Sequence, residues 1–435
     1  MRRLLAILAV FALVVAACDP GTDTDAVETT GSAATADVGK ECYSHDGYGA
    51  GEACANYSSA ESAPRDAPVP GDAFRLDRPE HDHFCFAYPD QVLVFPDDAF
   101  SAADFGLEEM TVEDFEEIGV ENPEEVVAYL AEVPLGIFRM IDESDLFQVI
   151  DQVEQETVGA VMASPHYLLT PGPAWEYGPH GAPTRISGAW SDVPPTGTSE
   201  GEGRVVIIDT GTTGDTATIG IDTAEPEGNV DPQVAGHGLF AASVVRQFSE
   251  AVNIDVYEAA TGGLLSEASI MGALQRAAPD GADVVNLSLG TYPCRAEDPP
   301  LGLIQTLGTL PGDVHVTASS GNDGNQHPTM FPASLGFPNS LSHLPQGQLD
   351  LFAANGIDVP ALSARITAVG ATDMSGTETT WSNPAEIYAP GEDVVGWYHG
   401  GVNDTGPSGL AVWSGTSFAA PHFAACLASQ ACTPP

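Results

Sequence analysis

The sequence predicts an α/β fold, a parallel sheet with helices on both faces, preceded by a small α+β module. Two patterns predict it. After Gly203, short apolar runs alternate with helix-period segments, as buried parallel strands and their crossovers do. Between 91 and 170, strands alternate with only two helices, the pattern of a small α+β domain. A hydrophobic fraction of 43% over 435 residues supports a large core and two or three domains.

The first module is justified element by element. Residues 91–95 read as a strand. Asn122 precedes Pro123, Glu124 and Glu125, which combines a capping side chain, Pro at the first helical position and acids at the positive helix end. Residues 135–141 read as a strand. Ser144 is the expected cap of a helix whose Leu146, Val149, Ile150 and Val153 share one face. Residues 158–169 are extended again.

In the second module, 205–208 form an apolar run ending in Asp209. Residues 254–259 are a strand, and Ser266 caps a helix with Ile270, Leu274 and Ala277 on one face. Residues 283–287, 314–318 and 365–369 are further strands. Functional groups of open parallel sheets gather at the carboxyl ends of strands. Asp209, Ser288-Leu289-Gly290 and Ser320-Gly321-Asn322 stand at such ends.

Charge excludes one class of function. Thirteen Lys and Arg oppose 62 Asp and Glu, a formal net charge of −49. Such a chain repels nucleic acid and cannot bind it by neutralising phosphates. Lys40 is the single lysine, and an acidic surface of this kind suits a salt-rich setting.

The chain begins as an export signal does. Arg2 and Arg3 precede an apolar run over 4–17, shorter than the about 20 residues that span a membrane. Val15-Ala16-Ala17-Cys18 resembles a bacterial lipobox, which implies cleavage before Cys18, a lipid on its thiol and attachment to a membrane. An ordinary signal peptide with a chance cysteine is the alternative. Residues 1–17 are thus read as signal peptide and 18–90 as an acidic tether with cysteines. Six cysteines remain after Cys18, an even number that suits disulfides in an exported chain. Cys42–Cys54 and Cys426–Cys432 are the plausible local pairs, which leaves Cys85 with Cys294. His81, Asp82 and His83 with Cys85 have the residue types of a metal site but lie in an acidic, Pro-containing stretch, so no metal is assigned.

Four short signatures follow in order. Asp209-Thr210-Gly211 closes a strand. Gly236-His237-Gly238 opens an apolar helix. Gly321-Asn322 follows a strand. Gly415-Thr416-Ser417-Phe418-Ala419-Ala420-Pro421 leads into the last helix. Peptide hydrolysis needs these residue types. A serine is a weak nucleophile until a base takes its proton, and His does this near neutral pH. A buried carboxylate holds the imidazole tautomer. An amide donor meets the oxygen that becomes negative. Taken singly, each motif also fits a cap, a turn or a core histidine.

Together, residues 203 to about 428 resemble the subtilisin-like serine proteases. The resemblance implies a subtilisin-like parallel sheet and a serine endopeptidase acting on protein or peptide substrates. It implies Ser417 as nucleophile, His237 as general base, Asp209 as its orienting acid and Asn322 as oxyanion donor. It implies that Ser288, Leu289 and Gly290 bind substrate backbone. No cofactor is implied, and a monomer is expected. Four features depart from the pattern. Leu239 stands where relatives carry a small hydroxyl residue. Residues 335–364 look inserted. The chain stops soon after the last helix, and no room is left for a calcium loop after His237. The resemblance also recasts 91–170 as a prodomain-like inhibitor and chaperone module, 171–202 as a linker with a processing site and 203–435 as the catalytic domain. A retained accessory domain is the alternative for the module. A catalytically impaired, lipid-anchored binding protein is the alternative for the whole. The expected location is the cell surface or a periplasm-facing membrane, with release after processing left open.

Overall fold

The computed structural model describes residues 74–78 and 83–432, apart from 98, 121, 142–143, 158, 171–182, 198–200, 229–233, 261–263, 278–280, 325–329, 338–339, 343, 401–403 and 405. The signal segment, Cys18, the Cys42–Cys54 pair, His81 and Asp82 lie outside the described residues.

The first module is an antiparallel sheet. Its strands are β1 (Phe74–Arg78), β2 (His83–Phe95), β3 (Leu107–Glu109), β4 (Gly136–Met140) and β5 (Met162–Leu169). β5, β2, β4 and β3 lie side by side, and β1 pairs with β2. Alternation along β2 sends Val92 and Val94 to one face and Leu93 and Phe95 to the other. The first pair packs on Leu146, Val149, Ile150 and Val153 of helix α3 (Leu146–Glu156). The second pair packs toward the rest of the chain. Both sheet faces are therefore buried.

Two helix starts differ from expectation. Asn122 precedes α2 (Pro123–Leu130), which follows α1 (Val112–Glu117), but sits at φ 52° and makes no side-chain cap. Pro123 and the acids after it carry that start. Helix α3 is capped by Asp145, whose carboxylate accepts the Gln148 N–H at 3.0 Å, rather than by Ser144. A cap must directly precede the first helical residue, here Leu146, and a carboxylate also suits the positive helix end.

After the short β6 (Thr184–Arg185), the strands are β7 (Arg204–Asp209), β8 (Thr223–Ala224), β9 (Asn253–Glu258), β10 (Leu265–Ser266), β11 (Val284–Leu287), β12 (His315–Ser319), β13 (Ile366–Thr372) and β14 (Ile387–Pro390). All but β6 and β10 form one parallel sheet in the order β14-β13-β12-β11-β7-β9-β8. β15 (Val394–Tyr398) and β16 (Gly409–Trp413) make a small antiparallel sheet with β6. The parallel strands are apolar on both sides because both sides are covered. Val205 and Ile207 face α4 (His237–Phe248) and α9 (Thr416–Ala428). Val206 and Ile208 face α5 (Glu267–Ala277) and α6 (Leu301–Thr309). Residues 335–364 add α7 (Gln346–Ala354) and α8 (Val359–Ser363) at the α6 side. The chain leaves β7 toward β9 and returns to β11 on the other side. This is the switch point at which an open parallel sheet forms its crevice.

Strand pairing, a disulfide and a polar seam help to join the first module to the parallel-sheet part. β10 adds to its edge, with Leu265 opposite Leu169. Cys85 and Cys294, both buried, form a disulfide with Cα atoms 5.1 Å apart. A buried polar seam covers the start of α5. Glu267 accepts the Tyr167 and Leu303 N–H groups at 2.9 and 3.0 Å, and the Ala268 N–H donates to His166 Nε2 at 3.2 Å. His166 Nδ1 reaches Gln91 Oε1 at 2.6 Å, so the ring is neutral with its proton on Nδ1. Ser266 caps α5 as expected, accepting the Ser269 N–H at 3.0 Å.

Burial lowers the His166 pKa to about 3. The unfolded chain takes up this proton near pH 6.5, whereas the folded chain refuses it until about pH 3. Stability from this group is full above pH 6.5 and is lost as pH falls below it, by roughly 3 kcal/mol at pH 4.5. Thermal melts at pH 7 and pH 4.5 should show a larger fall in Tm for the wild type than for His166→Gln. Equal falls would contradict this account.

Candidate active site

The site is built where β7, β11 and β12 end and α4 and α9 begin. Asp209 is the last residue of β7 and fully buried. Its carboxylate accepts the Thr210 N–H at 2.7 Å and lies 2.8 and 2.9 Å from His237 Nδ1. His237 is the first residue of α4. Gly236 before it sits at φ 77°, and a Cβ there would strike the His399 carbonyl, so only glycine fits this entry. The imidazole rests between aromatic rings, with the Trp413 centroid at 5.4 Å and the Phe418 centroid at 5.2 Å. Its Nε2 has no hydrogen-bond partner among the described residues. Leu239 is fully buried among Val205, Ile207 and Val245, so the apolar residue fills core beside the sheet.

Ser417 is the second residue of α9, with Pro421 in the next turn. Its hydroxyl donates to the Ser288 carbonyl at 3.4 Å. The Ser288 side chain does not face outward: its hydroxyl donates to the Ser417 carbonyl at 2.6 Å and accepts from Asn286 Nδ2 at 2.9 Å. Ser288 thus ties the end of β11 to the start of α9. Asn322 Oδ1 accepts from the Thr416 N–H at 2.8 Å and the Thr416 hydroxyl at 3.0 Å. This holds the Asn322 amide beside Ser417 and turns its Nδ2 donor away from Thr416. Leu289 is buried. Gly290 exchanges two backbone hydrogen bonds with Thr170, at 2.9 and 3.0 Å. The end of the first module is therefore laid antiparallel along this segment.

One buried acid escaped the sequence reading. Glu227 accepts the Gly236 N–H at 2.5 Å and the Thr213 hydroxyl at 3.3 Å, which knits the residue before His237 to the loop after Asp209. Burial raises its pKa to about 7. Nothing around it in sequence is periodic, so no pattern marks it. Among the described residues no cluster of His, Cys, Asp and Glu suits a metal ion, and no helix is long and apolar enough to cross a membrane.

Residues 216–431 match the subtilase family. The chain carries a subtilase-family domain. The match includes His237, Asn322 and Ser417, and Asp209 lies just before it. The subtilase domain has the subtilisin-like fold, with its parallel sheet between helices. Alkaline elastase YaB from Bacillus sp. (strain YaB) is 30% identical over 200 residues, which is 43% of each chain. Subtilisin-like serine protease Pen ch 13 from Penicillium rubens is 27% identical over 249 residues, 52% of each chain. The chain spans about half the length of the curated relatives it matches. Among solved structures, a cold adapted subtilisin-like serine proteinase aligns with 20% identity over 55% of this chain and 81% of that one, at a TM-score of 0.35.

Proposed function

We propose that this protein is an exported serine endopeptidase, anchored by a lipid on Cys18, that hydrolyses peptide bonds through an acyl-enzyme. The observation that carries the reading is the buried Asp209–His237 pair at 2.8 Å, packed against the start of the helix that carries Ser417, with the Phe418 ring centroid 5.2 Å from the imidazole. Asp209 holds the imidazole proton on Nδ1, which leaves Nε2 as the base. Ser417 turns from its resting bond on the Ser288 carbonyl to Nε2, gives up its proton and attacks the substrate carbonyl. Asn322 Nδ2 and the backbone N–H groups of the first turn of α9 receive the oxyanion. His237 then passes the proton to the leaving amine. Water repeats the sequence on the acyl-enzyme and frees the acid product. A fluorophosphonate probe should label Ser417 in the wild type, identified on its tryptic peptide. Absence of that label under conditions that label a control serine protease would overturn the reading in favour of a binding scaffold.

In this reading the first module is an inhibitor, because Thr170 lies where substrate backbone would pair with Gly290. Cleavage within 171–202 would free that end. The Cys85–Cys294 bond joins the two sides of the cut, so cleavage alone does not separate them. The processed protein, with its anchor, should run as one species without reductant and as two with it. Two species without reductant would contradict the tether, and Cys294→Ser should produce that result.

A further inference from the structure

Building on the endopeptidase reading, we infer that Met330 restricts the substrate residue on the acyl side of the scissile bond to a small side chain, alanine or glycine. The end of the first module offers a pattern for how an extended peptide lies on this site. Thr170 exchanges both backbone hydrogen bonds with Gly290. In an antiparallel register, a peptide lying this way brings its residue two positions further on opposite Ser288. The Ser288 carbonyl is 3.4 Å from Ser417 Oγ, so that residue carries the carbonyl under attack. With its carbonyl between Ser417 and Asn322, its side chain enters the gap between Gly290 and Gly321.

Met330 fills this gap. Thr291 and Phe331 exchange backbone hydrogen bonds at 2.9 and 2.8 Å, which sets Met330 alongside Gly290. A Cβ on Gly290 would strike Met330 Cε, and a Cβ on Gly321 would lie 2.9 Å from Met330 Sδ. The thioether thus touches both walls, and the side chain is buried. On this inference a methyl group is tolerated here and a larger side chain is not. A ring or long branch needs Met330 to leave a packed position, which disfavours it in the transition state.

The test uses the full processed chain and two tetrapeptide p-nitroanilides that differ only in the last residue, alanine or phenylalanine. The wild type should favour alanine in kcat/KM by about tenfold or more. Met330→Gly should raise the phenylalanine-to-alanine ratio of kcat/KM by about tenfold, and Met330→Leu should keep the wild-type preference. Met330→Ala serves if the glycine variant does not fold. Equal wild-type rates on the two substrates, or an unchanged ratio in the glycine and alanine variants, would overturn the inference. Loss of fluorophosphonate labelling at Ser417 in the wild type would instead overturn the endopeptidase reading on which it rests.

Discussion

Ser417→Ala is expected to lower peptide hydrolysis by about 10⁶ and to leave the chain uncut between 171 and 202. The magnitude is the one seen when the triad serine of subtilisin is removed, so it is carried over from a similar protein. The reason is local. In the proposed mechanism Ser417 Oγ forms the acyl bond, and Asn322 and the α9 terminus receive the oxygen that develops beside it. Removing the hydroxyl leaves binding groups intact and removes the bond-forming atom. The fold should survive, because the Ser417 carbonyl, not its side chain, holds the Ser288 hydroxyl at 2.6 Å. Titration of product release against time, with far-UV circular dichroism as the folding control, reads both effects. A folded variant that retains a tenth of wild-type activity would remove Ser417 from the mechanism.

Asp209→Asn is expected to lower kcat by about 10⁴ with little change in KM. The carboxylate accepts the Nδ1 proton of His237 at 2.8 Å. An amide can offer its N–H₂ to that nitrogen instead, which moves the imidazole proton to Nε2 and blocks the base. Asn keeps an oxygen for the Thr210 N–H, so the strand end should hold. The decisive readout is the split between kcat and KM. A loss confined to KM would mean that Asp209 shapes the crevice and does not set the tautomer.

Much of the fold could be read in advance because it rests on short-range patterns. The run from Val205 to Asp209 announces a strand buried on both faces. The spacing of Leu146, Val149, Ile150 and Val153 announces a helix with one buried side, and all four are buried. Ser266 caps where a cap is needed. Asp209, His237, Asn322 and Ser417 were legible for a related reason: each sits at a strand end or helix start that local sequence marks. What escaped depends on partners far away in the chain. Glu227 meets Gly236 and Thr213 only after the loops close, and Met330 meets Gly290 and Gly321 only once β11 and β12 are side by side. His166 meets Ala268 across the seam, more than a hundred residues on. The α3 cap fell on Asp145 and not Ser144 because a one-residue shift in helix start leaves the apolar spacing unchanged.

The central claim is that Ser417 cuts this chain between its first module and its subtilase domain. Intact masses of the wild type and Ser417→Ala, both made without residues 1–17 and measured after reduction, test it most directly. The account predicts two pieces for the wild type, with a junction within 171–202, and one whole chain for the variant. Two whole chains, or the same junction in both proteins, would contradict it.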